Sequence, residues 1–211
     1  MIGLVVLLIL LAAFYGGSRR GVALQLVYSG GFFLSFLVAQ KLFLPWGERI
    51  SLLLPYLSVS PDTKMMLFTQ EQSFDLDKAY YAAVAFIGFL FIGHLLTKFL
   101  GIFASGLRYT RFIPQVDGLI AGFLNVIIAY VWIFLIFKLL TLIPLDTIQG
   151  LFKAGSVPRW IVEKSPLLAN YFNQNKVNST IIGYNQEYEV TEKNKYGVNI
   201  VSKIPQIRYS D

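Results

Sequence analysis

Apolar residues gather in four long runs, residues 1–17, 21–44, 79–97 and 118–143. The first and third runs carry no charged residue, and the second and fourth carry one lysine each, Lys41 and Lys138, close to their ends. A helix needs about 20 apolar residues to cross a hydrocarbon core of about 30 Å. Backbone in lipid must satisfy its own hydrogen bonds, which selects helices for runs of this kind. The pattern predicts an all-α integral membrane protein, a bundle of four transmembrane helices at 1–17, 21–44, 79–97 and 118–143. Between these runs the chain turns polar. Arg19-Arg20-Gly21 leaves almost no loop, so helices one and two are expected to form a tight antiparallel hairpin, with Gly16, Gly17 and Gly21 easing the turn. The connection 45–78 forms an outer loop, opening with a short interfacial helix from Trp46 to Leu54 that Pro55 and Pro61 end. Residues 144–172 read as an interfacial amphipathic segment, with short helices at Asp146 to Phe152 and Trp160 to Lys164. The polar tail, 173–211, is compatible with disorder or with short strands.

The charges between the runs orient the chain. Arg19 and Arg20 in the first connection, and Lys98, Arg108 and Arg111 in the third, make these loops basic, whereas the second connection carries an excess of acids. Basic loops stay in the cytoplasm. Both termini are therefore expected on the outer side of the membrane. The first run lacks a basic start and has its arginines after the apolar stretch, so it is read as a retained helix and not as a cleaved signal.

Composition narrows the chemistry. Charged residues make up 14 % of the chain and apolar residues 55 %, where a soluble domain carries about 25 % charge. There is no cysteine and a single histidine, which excludes disulfides, thiolate sites and multi-histidine metal sites. The net charge of +6 comes with no nucleic-acid motif, and anionic headgroups account for it. No hydrolase elbow, zincin, phosphate-binding or dinucleotide motif is found. The chain is therefore expected to be no enzyme and to need no cofactor or metal. Its expected partners are the lipid bilayer, a second copy of itself, or other membrane and secretion proteins.

The candidate residues are small or polar. Gly118 and Gly122 form a GxxxG pair, and Gly16, Gly17, Gly30 and Gly88 offer similar helix-packing positions. Such positions serve packing within one chain or self-association. Gln25 and Ser29, one turn apart, and Asn125 are a candidate polar lining, for interhelical hydrogen bonds or a solute path. His94 stands alone in the third run, with no carboxylate in the runs to make a proton relay. Lys41 and Lys138 are placed to snorkel. Asp117 is placed to cap helix four through that helix's own free amides.

With these residues in view, the chain resembles the colicin V production family. The resemblance rests on Arg20-Gly21-Val22-Ala23-Leu24-Gln25, on Asp117-Gly118-Leu119-Ile120-Ala121-Gly122, and on Ser156, Ile161 and Ser165-Pro166-Leu167-Leu168 in that order. It covers residues 1–172 and has no counterpart for the tail. It implies a small bacterial membrane protein supporting the production or export of a peptide toxin, or envelope homeostasis, with no catalytic residue to carry over. An oligomeric channel or transporter subunit is the rival expectation.

Overall fold

The computed structural model describes residues 2–55, 67, 76–109 and 115–165. The chain divides into two units, Met1–Asn170 and Tyr171–Asp211, and the second lies outside the described residues, as do the expected surface-lying segment at 167–172, most of the outer loop and Arg111. Every element among the described residues is helical: α1 (Ile2–Ser18), α2 (Val22–Ser51), α3 (Leu76–Phe103), a 3-10 turn (Ser105–Tyr109), α4 (Asp117–Thr141), α5 (Asp146–Gln149), a second 3-10 turn (Gly150–Phe152) and α6 (Val157–Lys164). Three helices, α2, α3 and α4, are long and apolar enough to cross a membrane. The fourth apolar run forms α1, which is apolar but has 17 residues, about 26 Å of helix.

Two expected boundaries move. Helix two does not stop at Leu44 before a separate interfacial helix; it continues through Pro45 to Ser51 as one helix of 30 residues. A proline inside a helix removes one N–H and crowds the carbonyl four residues earlier, but membrane helices tolerate this when neighbours hold the rest. Here α3 does so. Gly47 lies against the backbone of Ala82, and the Trp46 ring meets Phe89 edge-on at 5.5 Å. Helix three is also longer than its uncharged core, reaching Phe103.

The expected hairpin of helices one and two is not what packs. The chief helix contacts are α2 with α3 and α1 with α4, joined by α2 against α4, while α1 does not pack along α2. The reason lies in where backbones can approach. On the α1/α4 seam, a Cβ at Gly17 would stand 2.6 Å from the Ala121 carbonyl oxygen, and one at Gly122 would stand 2.6 Å from the Phe14 ring. Gly118 lies against the Ser18 carbonyl oxygen at 3.2 Å on the same measure. The GxxxG pair therefore faces α1 of its own chain.

The α2/α3 seam uses a reciprocal device. Gly31 is covered by the Thr97 side chain and Gly93 by the Ser35 side chain. Each hydroxyl also bonds back one turn, Ser35 to the Gly31 carbonyl at 2.7 Å and Thr97 to the Gly93 carbonyl at 2.8 Å. A hydroxyl in lipid thus spends its donor within its own helix and presents its carbon surface to the glycine opposite. Phe86 closes the seam between Phe36 and Phe43, with edge-on contacts of 5.3 and 6.1 Å.

After α4 the short helices form close to their expected positions and fold back onto it. Gln149, buried, donates to the carbonyls of Thr141 at 3.2 Å and Ile143 at 2.8 Å. It thereby serves acceptors left free at the end of α4. Phe152 is buried against Phe137 at 6.3 Å. Gly155, at φ +79°, provides the turn into α6, whose Ser156 cap accepts from the Arg159 amide. One face of α6 (Pro158, Ile161, Val162) is buried, and the buried Ser165 meets the Tyr130 hydroxyl at 2.5 Å.

The seam separates neighbouring glycines. Gly31→Ala drives a methyl group into Thr97 and should cost about 1–3 kcal/mol, read as a lower unfolding temperature of the detergent-purified protein. Gly30→Ala and Gly88→Ala meet nothing within 4 Å, and should lose no more than about 0.5 kcal/mol or gain from the better helix former. Equal losses at Gly30 and Gly31 would sink this assignment of the seam.

Candidate functional site

Polar groups inside the helices gather where α1, α2 and α4 meet. The site begins at the basic turn. α1 ends at Ser18, and Gly21 takes φ +78°, a conformation only glycine adopts readily, to start α2. Arg19 donates to the Tyr15 hydroxyl at 3.0 Å, and the Arg20 guanidinium lies 5.1 Å from the centre of the Tyr28 ring. Both arginines thus extend along aromatic side chains, with the attraction of a cation for a ring face.

Asp117 corrects the expectation made for it. It is the first residue of α4, whose cap position is Val116 with no side-chain bond to the helix's own amides. Its Oδ2 instead accepts from the backbone N–H of Val22, the first residue of α2, at 3.1 Å. Asp117 therefore caps a different helix. The acid expected from its position is present, but a residue one place inside its own helix aims past its own free amides. α2 begins with Gly21, which has no side chain to serve its free N–H groups. The carboxylate is 4 % exposed and lies at the positive ends of two helices, which favour a negative charge.

Gln25 and Asn125 lie further along the same contact. Asn125 donates from Nδ2 to the Ala13 carbonyl at 2.6 Å, and Gln25 donates from Nε2 to Asn125 Oδ1 at 3.2 Å. The order follows from chemistry. A backbone carbonyl only accepts, so Asn125 must turn its amino group to Ala13 and its oxygen to Gln25. One side-chain pair thus ties α1, α4 and α2 together. Gly17 makes room for it, since a Cβ there would stand 2.6 Å from the Asn125 Cβ.

The remaining candidates distribute differently. Ser29 follows Gln25 by one turn on α2. Gly16 has only the Asn125 amide near its Cβ direction, at 4.0 Å, and Gly30 and Gly88 face open space. Lys98 is exposed on α3, and Arg108 lies in the 3-10 turn. His94 sits between Phe32 and Trp132, ring centres 5.8 and 5.9 Å away. Among the described residues no three histidines, cysteines or carboxylates gather as a metal site would require. Sequence reasoning missed Gly93, Ser35, Thr97, Gln149 and the Tyr130–Ser165 contact. The G-x-x-x-S and G-x-x-x-T spacings were a usable signal for the first three.

The comparisons agree with this architecture. The model of the family described as colicin V production protein matches residues 2–172, and the chain belongs to that family. An uncharacterized transmembrane protein of Bacillus subtilis (strain 168), YshB, is 27 % identical over 180 residues, covering 82 % of this chain and 96 % of its own length. No solved structure matches. With these relatives and its three long apolar helices, the chain is a multi-pass membrane protein.

Removing Asn125 tests the polar contact. Asn125→Leu strips Gln25 of its acceptor and Ala13 of its second donor, and should cost about 1–3 kcal/mol in unfolding by denaturing detergent. Asp117→Ala should cost about 1 kcal/mol, while Asp117→Asn, which keeps an acceptor oxygen, should lose clearly less. Equal losses for Asp117→Ala and Asp117→Asn would mean that the oxygen facing Val22 carries no part of the stability.

Proposed function

We propose that this chain is a non-enzymatic protein of the bacterial plasma or inner membrane that supports production or export of a peptide toxin, or envelope homeostasis. The single observation that carries the reading is the family match across residues 2–172. That match takes in the described helices and leaves out the tail. The polar contact of Asp117, Gln25 and Asn125 joins helices, a structural use of these side chains that accords with the reading.

In this reading α1 spans the membrane as a fourth helix beside α2, α3 and α4, and both termini lie outside. The basic connections with Arg19, Arg20, Lys98, Arg108 and Arg111 lie in the cytoplasm. The partners are lipid, other membrane and secretion proteins, or a second copy. A second reading, an oligomeric channel or transporter subunit, draws on one specific observation: Gln25 is fully buried within α2, where polar side chains often mark a solute path.

Deletion should lower secreted toxin or weaken the cell envelope. A strain unchanged in both would overturn the first reading. A cytoplasm-dependent reporter fused after Asp211 should stay dark, and a bright one would reverse the topology. For the second reading, purified protein in liposomes should pass small solutes or ions, and Gln25→Leu and Asn125→Leu should abolish that flux.

A further inference from the structure

Four buried side-chain atoms have no hydrogen-bond partner among the described residues: Asp117 Oδ1, Gln25 Oε1, Ser29 Oγ and His94 Nδ1. Asp117, Gln25 and His94 belong to contacts that α2 makes with α4 and α3, and Ser29 lies one turn from Gln25 on the same face of α2. Asp117 reaches the first residue of α2. Gln25, 0 % exposed, holds Asn125 of α4 through its amino group, which leaves its oxygen free. Ser29 is the next turn of the same stripe of α2. Phe32, three residues further on, carries the contact to His94 of α3 and Trp132 of α4. The residues that carry the unpartnered atoms thus follow one side of α2, from the starts of α2 and α4 up to a cluster of three rings.

Buried polar atoms are satisfied by protein or by ordered water, and dry cavities are lined by apolar groups. Scattered orphans would be local faults of packing. A row of them along one interface defines a path. We infer that the contact of α2 with α4 and α3 encloses a narrow water-filled cleft. It opens beside the Arg19-Arg20 turn and ends blind at Phe32, His94 and Trp132.

Chemistry identifies the occupant. Gln25 Oε1 can only accept, and Asp117 Oδ1 is a carboxylate oxygen like the one that accepts from Val22, while Ser29 Oγ and an imidazole nitrogen accept or donate. The cleft therefore takes a hydrogen-bond donor. The charge of Asp117 is already offset by the positive ends of α2 and α4, with Arg19 and Arg20 at the mouth. A cation is not required, and a neutral donor, water, fits. The blind end separates this inference from the channel reading: the cleft is hydrated whether or not the chain conducts.

The chain contains no cysteine, so single cysteines report water directly. Ser29→Cys, Ala39→Cys and Phe123→Cys would be placed in liposomes and exposed on both faces to a small charged methanethiosulfonate, which reacts with the thiolate in water. Ala39 is fully buried and Phe123 is 64 % exposed on the outer surface of the helices. Ser29→Cys should react at least about tenfold faster than either, because a thiol in dry surroundings stays protonated. A folded Ser29→Cys protein as slow as Ala39→Cys overturns the cleft. Should Ser29→Cys fail to fold, the unmodified chain decides through its one histidine. Deuterium should enter the ring carbon between the two nitrogens of His94 in heavy water. A ring that takes up none while the unfolded chain does would overturn the cleft equally.

Discussion

The bond from the Asp117 carboxylate to the Val22 amide sets the register on which the shared starting end of α2 and α4 depends. It joins the first residues of two helices that run parallel, and so aligns α2 with α4 along their axes. Given that alignment, Gln25 meets Asn125, and Asn125 in turn meets the Ala13 carbonyl of α1. In water these groups would find solvent partners in any register. Between packed helices the partners are few and fixed, so a shift of one turn would strand several polar groups together. The net worth of each bond is small, about 0.6 kcal/mol on average in membrane helices. Its role is to penalise every other alignment.

The two principal seams divide this labour differently. On α2/α3 the backbones approach at Gly31 and Gly93, and the hydroxyls facing them spend their donors within their own helices. At these two notches shape carries the pairing. On α1/α4 the glycines at 17 and 122 bring the backbones close, and Asn125 then adds a directional bond. Without a strong hydrophobic force between helices already in lipid, close packing and a few polar bonds are what association has to draw on. The short α1, which lies beside α4 and not beside its chain neighbour α2, depends on both.

The helices themselves were legible because an uninterrupted apolar run has one interpretation in lipid. The short helices after Pro144 were legible from their amphipathic pattern. Partner choice was not. Gly30 and Gly31 are adjacent in sequence but about 100° apart around the helix, and only the fold shows that 31 faces α3 while 30 faces open space. Small residues occur on several faces of each helix, so composition supplies candidates and no pairing. The end expected at Leu44 moved for a related reason: the close of the apolar run was visible, while the packing of Gly47 and Trp46 on α3 that supports the helix through Pro45 was not. Asp117 was correctly picked as a capping acid, yet its target is 95 positions earlier in the chain, beyond the reach of a local rule.

These facts bear on what kind of machine the molecule is. A helix pair joined by shape, such as α2/α3, resists sliding because each side chain fills a fixed glycine notch. The α2/α4 contact is looser in kind. Its bonds are few and side-chain mediated, and it runs past Ser29 to a cluster of rings rather than into a glycine seam. A rotation of the α2/α3 pair against the α1/α4 pair would have to break the bonds of Asp117 and Gln25 and slide Phe32 and His94 past the Trp132 ring. A transport role requires two states of comparable energy, and a scaffold role requires one state held firmly. The architecture therefore concentrates that choice in a single contact. Bonds at Asp117 and Gln25 that are weak relative to water favour two states, and bonds that are strong favour one.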